Sequence, residues 1–373
     1  MKVLLVADAR SIHTRRWVEA LSSEGVDIVL FTLYPPGDSY FDRNGFKYHV
    51  YDLFTYSKTN PLSKAAGILR HLHAVRYLKK IIRKENPDIL HAHYATSFCL
   101  VASLTGFHPF LLSVWGSDVY IYPEQSALNR KIVEYSLNKA DKVLSTSRIM
   151  AKRTSLFFKG TCEITPFGVD CSLFRKIIQP LGFHHPFTVG TVKSLKPVYG
   201  IDRLIRAFAL FKENFNVPEA RLVIAGDGEQ RDFLRNLSEE LHIADSVRFL
   251  GNMDNSSLPA VYSSFDVACF LSSSESFGVS AVEAMACECP VVVSGADGFR
   301  EVVEDGKTGI MIEGNSVKEA ASAIGRLYSN PSLREVMGKN GRKRVMQYYH
   351  WKDNVAAMIS IYDSVLEHNG GKS

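Results

Sequence analysis

Two carboxylates eight residues apart, Glu275 and Glu283, stand in the stretch SSSESFGVSAVEAMACECPVVVS (272–294). The first follows a run of serines. The second lies among Val279, Ala281, Val282, Ala284, Met285 and Ala286, whose spacing predicts an apolar helix. One unpaired carboxylate on such a face is costly to bury, so Glu283 needs a partner or must border a wall that holds one. Phe277-Gly278 opens the helix, whose free N–H groups and partial positive charge suit a phosphate. Gly278 lets a ligand approach the backbone closely. Glu275 at a mouth and Glu283 two turns inside can accept hydrogen bonds from two sets of hydroxyls on one elongated ligand. The alternative leaves Glu275 to solvent and pairs Glu283 with a buried Arg or Lys, and geometry alone leaves both readings open.

The elements that must position this stretch alternate along the whole chain. Apolar runs at 2–8, 26–33, 87–94, 110–116, 141–147 and 162–168 read as strands, most of them followed by helical stretches such as 13–24. The pattern breaks at 166–187 into Pro, Gly and aromatic residues, a linker signal. It restarts with strands at 187–192, 220–229, 247–251, 266–272, 290–294 and 308–312, with a helix at 200–213 among them. Short apolar runs separated by helices imply parallel sheets covered on both faces. The expected fold class is α/β: two Rossmann-like doubly wound parallel-sheet domains facing a cleft. The expected boundaries are 1–170, a linker 171–186, and 187–350, with a last helix in 351–373 packing back onto the first domain. Ligands of such sheets sit at the carboxyl ends of strands.

Composition agrees. A chain of 373 residues with 46% hydrophobic and 22% charged residues suits two globular domains. No run approaches the roughly 20 apolar residues that span a bilayer. The start, MKVLLVADARSIHTRRW, lacks the small-residue cleavage site of a secretory signal. Six scattered cysteines, of which only Cys287 and Cys289 are close, suit buried thiols in a reducing compartment better than a metal site. A cytoplasmic location is therefore expected, and no feature calls for nucleic acid. Residues 1–170 carry 22 Lys+Arg against 15 Asp+Glu, a balance of +7; the rest carry 44 − 22 = 22 against 39 − 15 = 24, a balance of −2. Much of the excess lies in 70–88, RHLHAVRYLKKIIRKENPD, an amphipathic helix suited either to plain solvation or to peripheral docking on the anionic inner face of a membrane.

Glutamate, seven residues, glutamate, with SFG after the first and EAMA…PVVVS around the second, resembles the donor-site signature of glycosyltransferase family 4. The resemblance extends through HAHYATS, SVWGSDVY, PFGVD, YGIDRLIRAF, VIAGDGEQRDFL, VRFLG, DGKTGIMI and YYHWKDN. It implies a retaining enzyme of the GT-B fold with a nucleotide-sugar in the carboxyl-terminal domain. The implied roles are ribose binding for Glu283 and donor-sugar hydroxyl binding for Glu275. Backbone N–H groups of Phe277, Gly278 and Val279 would meet sugar and phosphate oxygens. His93 would reach the reacting sugar from the first domain. UDP-sugars are the implied donors, with GDP-sugars as the alternative, and a glycan or lipid-linked molecule the acceptor.

Two departures stand out. The family's Gly-Gly loop after the first strand is replaced by ADARSIHTRRW, so the acceptor side is expected around His13, Arg15, Trp115 and Asp118. The Arg and Lys that normally hold the diphosphate are replaced in GTVKSLKPVYG by Lys193, with Lys196 as the second cation and Val198 near its usual place. No Asp-x-Asp occurs in the chain, so lysines and a helix N-terminus are expected to stabilise the leaving diphosphate, with neither metal nor cofactor. A dinucleotide oxidoreductase is disfavoured because no G-x-G-x-x-G follows either opening strand. A nucleotide-sugar epimerase has no need of the glutamate pair, and a non-catalytic nucleotide-sugar-binding partner no need of His93. If Glu275 serves only the sugar, Glu275→Ala is expected to leave free-nucleotide binding nearly unchanged.

Overall fold

The computed structural model describes residues 1–53, 64–178, 186–314 and 316–370. The chain divides into two compact units, one of Met1–Pro166 with Val355–Ser373 and the other of Phe167–Asn354.

The first unit holds β1 (Lys2–Val6), β2 (Asp27–Thr32), β3 (Lys47–Val50), β4 (Ile89–His93), β5 (Phe110–Val114), β6 (Lys142–Ser145) and β7 (Cys162–Ile164). Every pairing is parallel, in the order β3-β2-β1-β4-β5-β6-β7. The second holds β8 (Thr188–Val192), β9 (Arg221–Ala225), β10 (Val247–Gly251), β11 (Val267–Phe270), β12 (Val291–Ser294) and β13 (Gly309–Ile312). These are also all parallel, in the order β10-β9-β8-β11-β12-β13. The strands are apolar runs because helices cover both faces: Val3, Leu4, Leu5 and Val6 have no exposed surface, nor have Val291, Val292 and Val293. The helix Ile201–Phe215 turns Leu204, Ile205, Phe208 and Phe211 into the core of the second unit.

Strand order reverses direction between β1 and β4 and again between β8 and β11. Loops leaving the carboxyl ends on either side of such a point diverge and leave a crevice, where ligands of open α/β sheets bind. His93 ends β4, Lys193 follows β8, and the Glu275 loop follows β11.

The edge strand β3 is an addition to the expected set. Its side chains Tyr48, His49 and Val50 are half-buried and Lys47 is exposed, so no apolar run marks it. The region after β13 forms three helices, Val317–Tyr328, Pro331–Tyr348 and Trp351–Gly370. In the last, Val355, Met358, Tyr362 and Val365 form one buried stripe within the first unit. At the start of the expected linker, Cys171 and Phe174 are buried, and Arg342 donates to the carbonyls of both from within the second unit. Residues 179–185 of that stretch lie outside the described residues. No described helix is long and apolar enough to cross a membrane.

Candidate functional site

In the second unit, β11 runs into the loop 271–278 and then the helix Val279–Ala286. The loop is tied at several points. Arg203 Nη2 donates to the Leu271 carbonyl (2.5 Å), Ser294 Oγ to that of Ser272 (2.6 Å), and Ser273 N to that of Val198 (2.8 Å). Gly298 N donates to the Glu275 carbonyl (2.8 Å). Gly278 sits at φ +95°, and a Cβ there would lie 2.8 Å from the Phe299 ring, so glycine is needed to open the helix. Phe277 is buried, edge-on to Phe167 and Tyr349. Ala281 N donates back to the Gly278 carbonyl (3.0 Å), while the N–H groups of Val279 and Ser280 have no carbonyl a turn back to receive them, which leaves them for an anion.

Glu283 is 7% exposed, and the buried Tyr262 hydroxyl donates to its Oε2 at 2.9 Å. One partner of this buried carboxylate is thus a phenol. Tyr262 titrates far above its ordinary range, because burial and the neighbouring Glu283 carboxylate both oppose its ionisation.

Glu275 and Lys193 meet each other. Lys193 Nζ lies 2.6 Å from Glu275 Oε2, and each side chain is 11% exposed. The ammonium also stands 4.6 Å from the Tyr199 ring centroid. The backbone of Lys193 is fixed through its N–H to the Ala225 carbonyl (3.0 Å). Gly226 lies so close behind it that a Cβ would come within 2.0 Å of the Lys193 carbonyl oxygen. Lys196 is exposed on the same loop and makes no ion pair with a described residue. Asp227 is used locally, accepting from Gly228 N and from Arg231 at the start of the helix Arg231–Glu240.

In the first unit, His13, His93 and Trp115 come together at the carboxyl end of the sheet. The His93 ring centroid is 4.4 Å from that of Trp115 and 4.6 Å from His91, and His13 is 5.9 Å from Trp115. His91 and His93 share one face of β4 because strand side chains repeat every two residues. Both nitrogens of His91 are engaged, Nδ1 with the Tyr362 hydroxyl (2.7 Å) and Nε2 with Ser113 Oγ (2.8 Å). His93 is 2% exposed and its Nδ1 has no hydrogen-bond partner.

Arg15 is engaged elsewhere, and Asp118 meets that trio through the Trp115 backbone. Arg15 donates to Asp38 (2.8 Å) and to the Ala9 carbonyl (3.1 Å) and stacks on Tyr40. Asp118 is fully buried, and its carboxylate accepts from Ala95 N (2.8 Å), Gly116 N (2.7 Å) and Trp115 N (3.2 Å). It ties the loop after β4 to the loop after β5 and has no surface left for an acceptor, so it is a positioning residue. Sequence reasoning missed Tyr262, Arg203 and the Tyr362–His91–Ser113 set. The alternation in HAH was the one available signal for the last.

Burial holds both histidines neutral, His91 lowered to about 3 and His93 well below its ordinary range, with His91 and His13 adding to the effect on His93. The unfolded chain takes up these protons near pH 6.5, while the folded chain does not. Stability is therefore complete above pH 6.5 and falls as pH drops below it, down toward the folded values. Urea unfolding followed by a first-unit signal at pH 7.5 and 5.5 is expected to show a loss of about 2 kcal/mol, roughly 1 per histidine. His91→Asn is expected to halve that loss.

Among the described residues no cluster of three or more His, Cys, Asp or Glu is placed to hold a metal ion. All six cysteines are free, and burial pushes the Cys287 thiol up to about 12.

Two parallel α/β sheets with these loops at their carboxyl ends define a GT-B glycosyltransferase, and comparison with known proteins agrees. Residues 174–344 match the model of glycosyl transferases group 1, and residues 2–147 the model of glycosyl transferase 4-like proteins. An uncharacterised glycosyltransferase of Methanocaldococcus jannaschii is 25% identical over 384 residues, covering 96% of this chain and 95% of that one. The N-acetyl-alpha-D-glucosaminyl L-malate synthase of Bacillus anthracis is 25% identical over 302 residues, 78% of each chain. HepE of Anabaena, solved in complex with UDP, superposes with a TM-score of 0.80 at 18% identity, covering 98% of this chain and all of that one. The chain belongs to the family 4-like glycosyltransferases.

Proposed function

We propose that the chain is a retaining transferase that moves a hexosyl or N-acetylhexosaminyl unit from a nucleotide-sugar to a sugar or lipid-linked acceptor in glycan, polysaccharide or glycolipid synthesis. The observation that carries this reading is the grouping of Glu283, Glu275, Lys193 and a glycine-opened helix N-terminus around one loop. A UDP-sugar is the favoured donor and a GDP-sugar the alternative; HepE, of the same fold, binds UDP. Glu283 holds the ribose hydroxyls and Glu275 those of the sugar. Lys193, with Lys196 reaching in from the exposed loop, and the amides of Phe277, Gly278 and Val279 take the diphosphate.

In the reaction the acceptor hydroxyl attacks the anomeric carbon from the leaving-group face. The bond from that carbon to the diphosphate oxygen breaks, and the departing phosphate takes the acceptor's proton. Positive charge and amides aimed at the diphosphate stabilise it as it leaves. Glu275 positions the sugar. His93, neutral near pH 7, offers a hydrogen bond to it, and His13 and Trp115 border the acceptor. The test is nucleotide release from a panel of UDP- and GDP-sugars. With excess EDTA the release is expected to persist; complete loss restored by manganese or magnesium would replace the lysine-based mechanism with a metal-based one.

The helix Lys64–Glu85 supports peripheral docking of the first unit on anionic lipid. Arg76, Lys79, Lys80, Arg83 and Lys84 are all exposed and form no ion pair with a described residue, and Leu69 and Leu72 are exposed at 66% and 47% beside them. Five free cations next to two exposed leucines suit a negatively charged, partly apolar surface. Co-sedimentation with liposomes is expected to require anionic lipid and to weaken as salt rises. Equal binding to neutral vesicles, or none to either kind, would remove the docking role.

A further inference from the structure

We propose that the Lys193–Glu275 ion pair makes the site favour nucleotide-sugar over free nucleotide, so that the nucleotide left after transfer is expelled as the pair re-forms. The inference rests on the donor-binding reading above and adds a selection step to it. The pair is short, at 2.6 Å, and enclosed, with 11% of each side chain exposed. Both backbones are held in place, so the two side chains meet again whenever neither has another partner. The Glu275 backbone is pinned by Gly298 and its loop by Val198, while the Lys193 backbone is pinned by Ala225 and backed by Gly226.

A diphosphate at the adjoining helix N-terminus draws on Lys193 as its enclosed side-chain cation, beside the exposed Lys196. Glu275 then loses its counter-ion, and an enclosed carboxylate without a partner is costly. Free nucleotide brings the anion and nothing to replace the ammonium at Glu275. Nucleotide-sugar brings both, since its sugar hydroxyls donate to the carboxylate while its phosphates take the lysine. The pair therefore penalises the product nucleotide and spares the donor. It also reverses the expectation that Glu275 has no bearing on free nucleotide: in this arrangement Glu275 competes with the diphosphate for Lys193.

Calorimetry with UDP, GDP and UDP-glucose on the wild type, Glu275→Gln, Lys193→Gln and the double variant tests this. Glu275→Gln is expected to bind free nucleotide about tenfold tighter than wild type, because the competing charge is gone. UDP-glucose is expected to gain nothing, so its preference over UDP collapses. In the Lys193→Gln background the same change is expected to tighten nothing, which shows that the gain runs through the lysine. Wild-type or weaker affinity of a folded Glu275→Gln for UDP and GDP, with wild-type binding intact, would overturn the proposal alone. Failure of every variant and the wild type to bind either nucleotide would overturn the nucleotide reading, and the proposal with it.

Discussion

Glu283→Ala is expected to weaken free nucleotide and nucleotide-sugar alike, by about tenfold or more. Loss of a charged hydrogen-bond acceptor for the ribose hydroxyls costs roughly 1.5–3 kcal/mol, and about 1.4 kcal/mol is a factor of ten. A second cost comes from the fold, since the same substitution strands the buried Tyr262 hydroxyl that donates to Glu283. A buried donor left without a partner costs about 1–3 kcal/mol of stability. Glu283→Gln separates the two, because its amide oxygen still receives the Tyr262 hydroxyl while the negative charge is gone. It is expected to melt near the wild type and still bind nucleotide weakly. A Glu283→Gln protein that is fully folded and binds nucleotide with wild-type affinity would remove the ribose assignment.

Asp118→Ala is expected to be the most destabilising change in the first unit, at about 3 kcal/mol or more. Its carboxylate receives three backbone N–H groups, from Ala95, Trp115 and Gly116, in a place with no exposed surface. Each stranded donor costs roughly 1 kcal/mol at least. Burial pushes the Asp118 carboxyl above its ordinary range, and the three amides pull it back down. Asp118→Asn keeps one acceptor oxygen and is expected to fall between Ala and wild type. Urea unfolding of the three proteins measures this. An Asp118→Ala protein as stable as wild type, but deficient in transfer, would instead mean direct contact with the acceptor.

The two sheets were legible because covered parallel strands are largely apolar, and twelve of the thirteen read as short apolar runs in sequence. The exception, β3, is an edge strand with one wet side, so Lys47 and His49 interrupt its apolar signal. At the site, the glycine-opened helix and both glutamates could be read locally, since loop, cap and helix are consecutive. Their partners could not. Tyr262 is 21 residues from Glu283, and Lys193 is 82 from Glu275; the order of strands, not the spacing of residues, brings them together. The sequence groups Asp118 with the acceptor-side residues His13, Arg15 and Trp115. Its actual partners are backbone amides, which no side-chain pattern announces.

Donor recognition by the second unit is the property from which the proposed transfer follows. Saturation-transfer NMR of the full chain against a panel of UDP- and GDP-sugars, repeated with Glu283→Gln, measures it. Saturation of ribose and sugar protons is expected for at least one nucleotide-sugar, stronger than for the matching free nucleotide, and sharply reduced in the variant. No saturation from any member of the panel, or equal saturation in wild type and a folded Glu283→Gln, would contradict it.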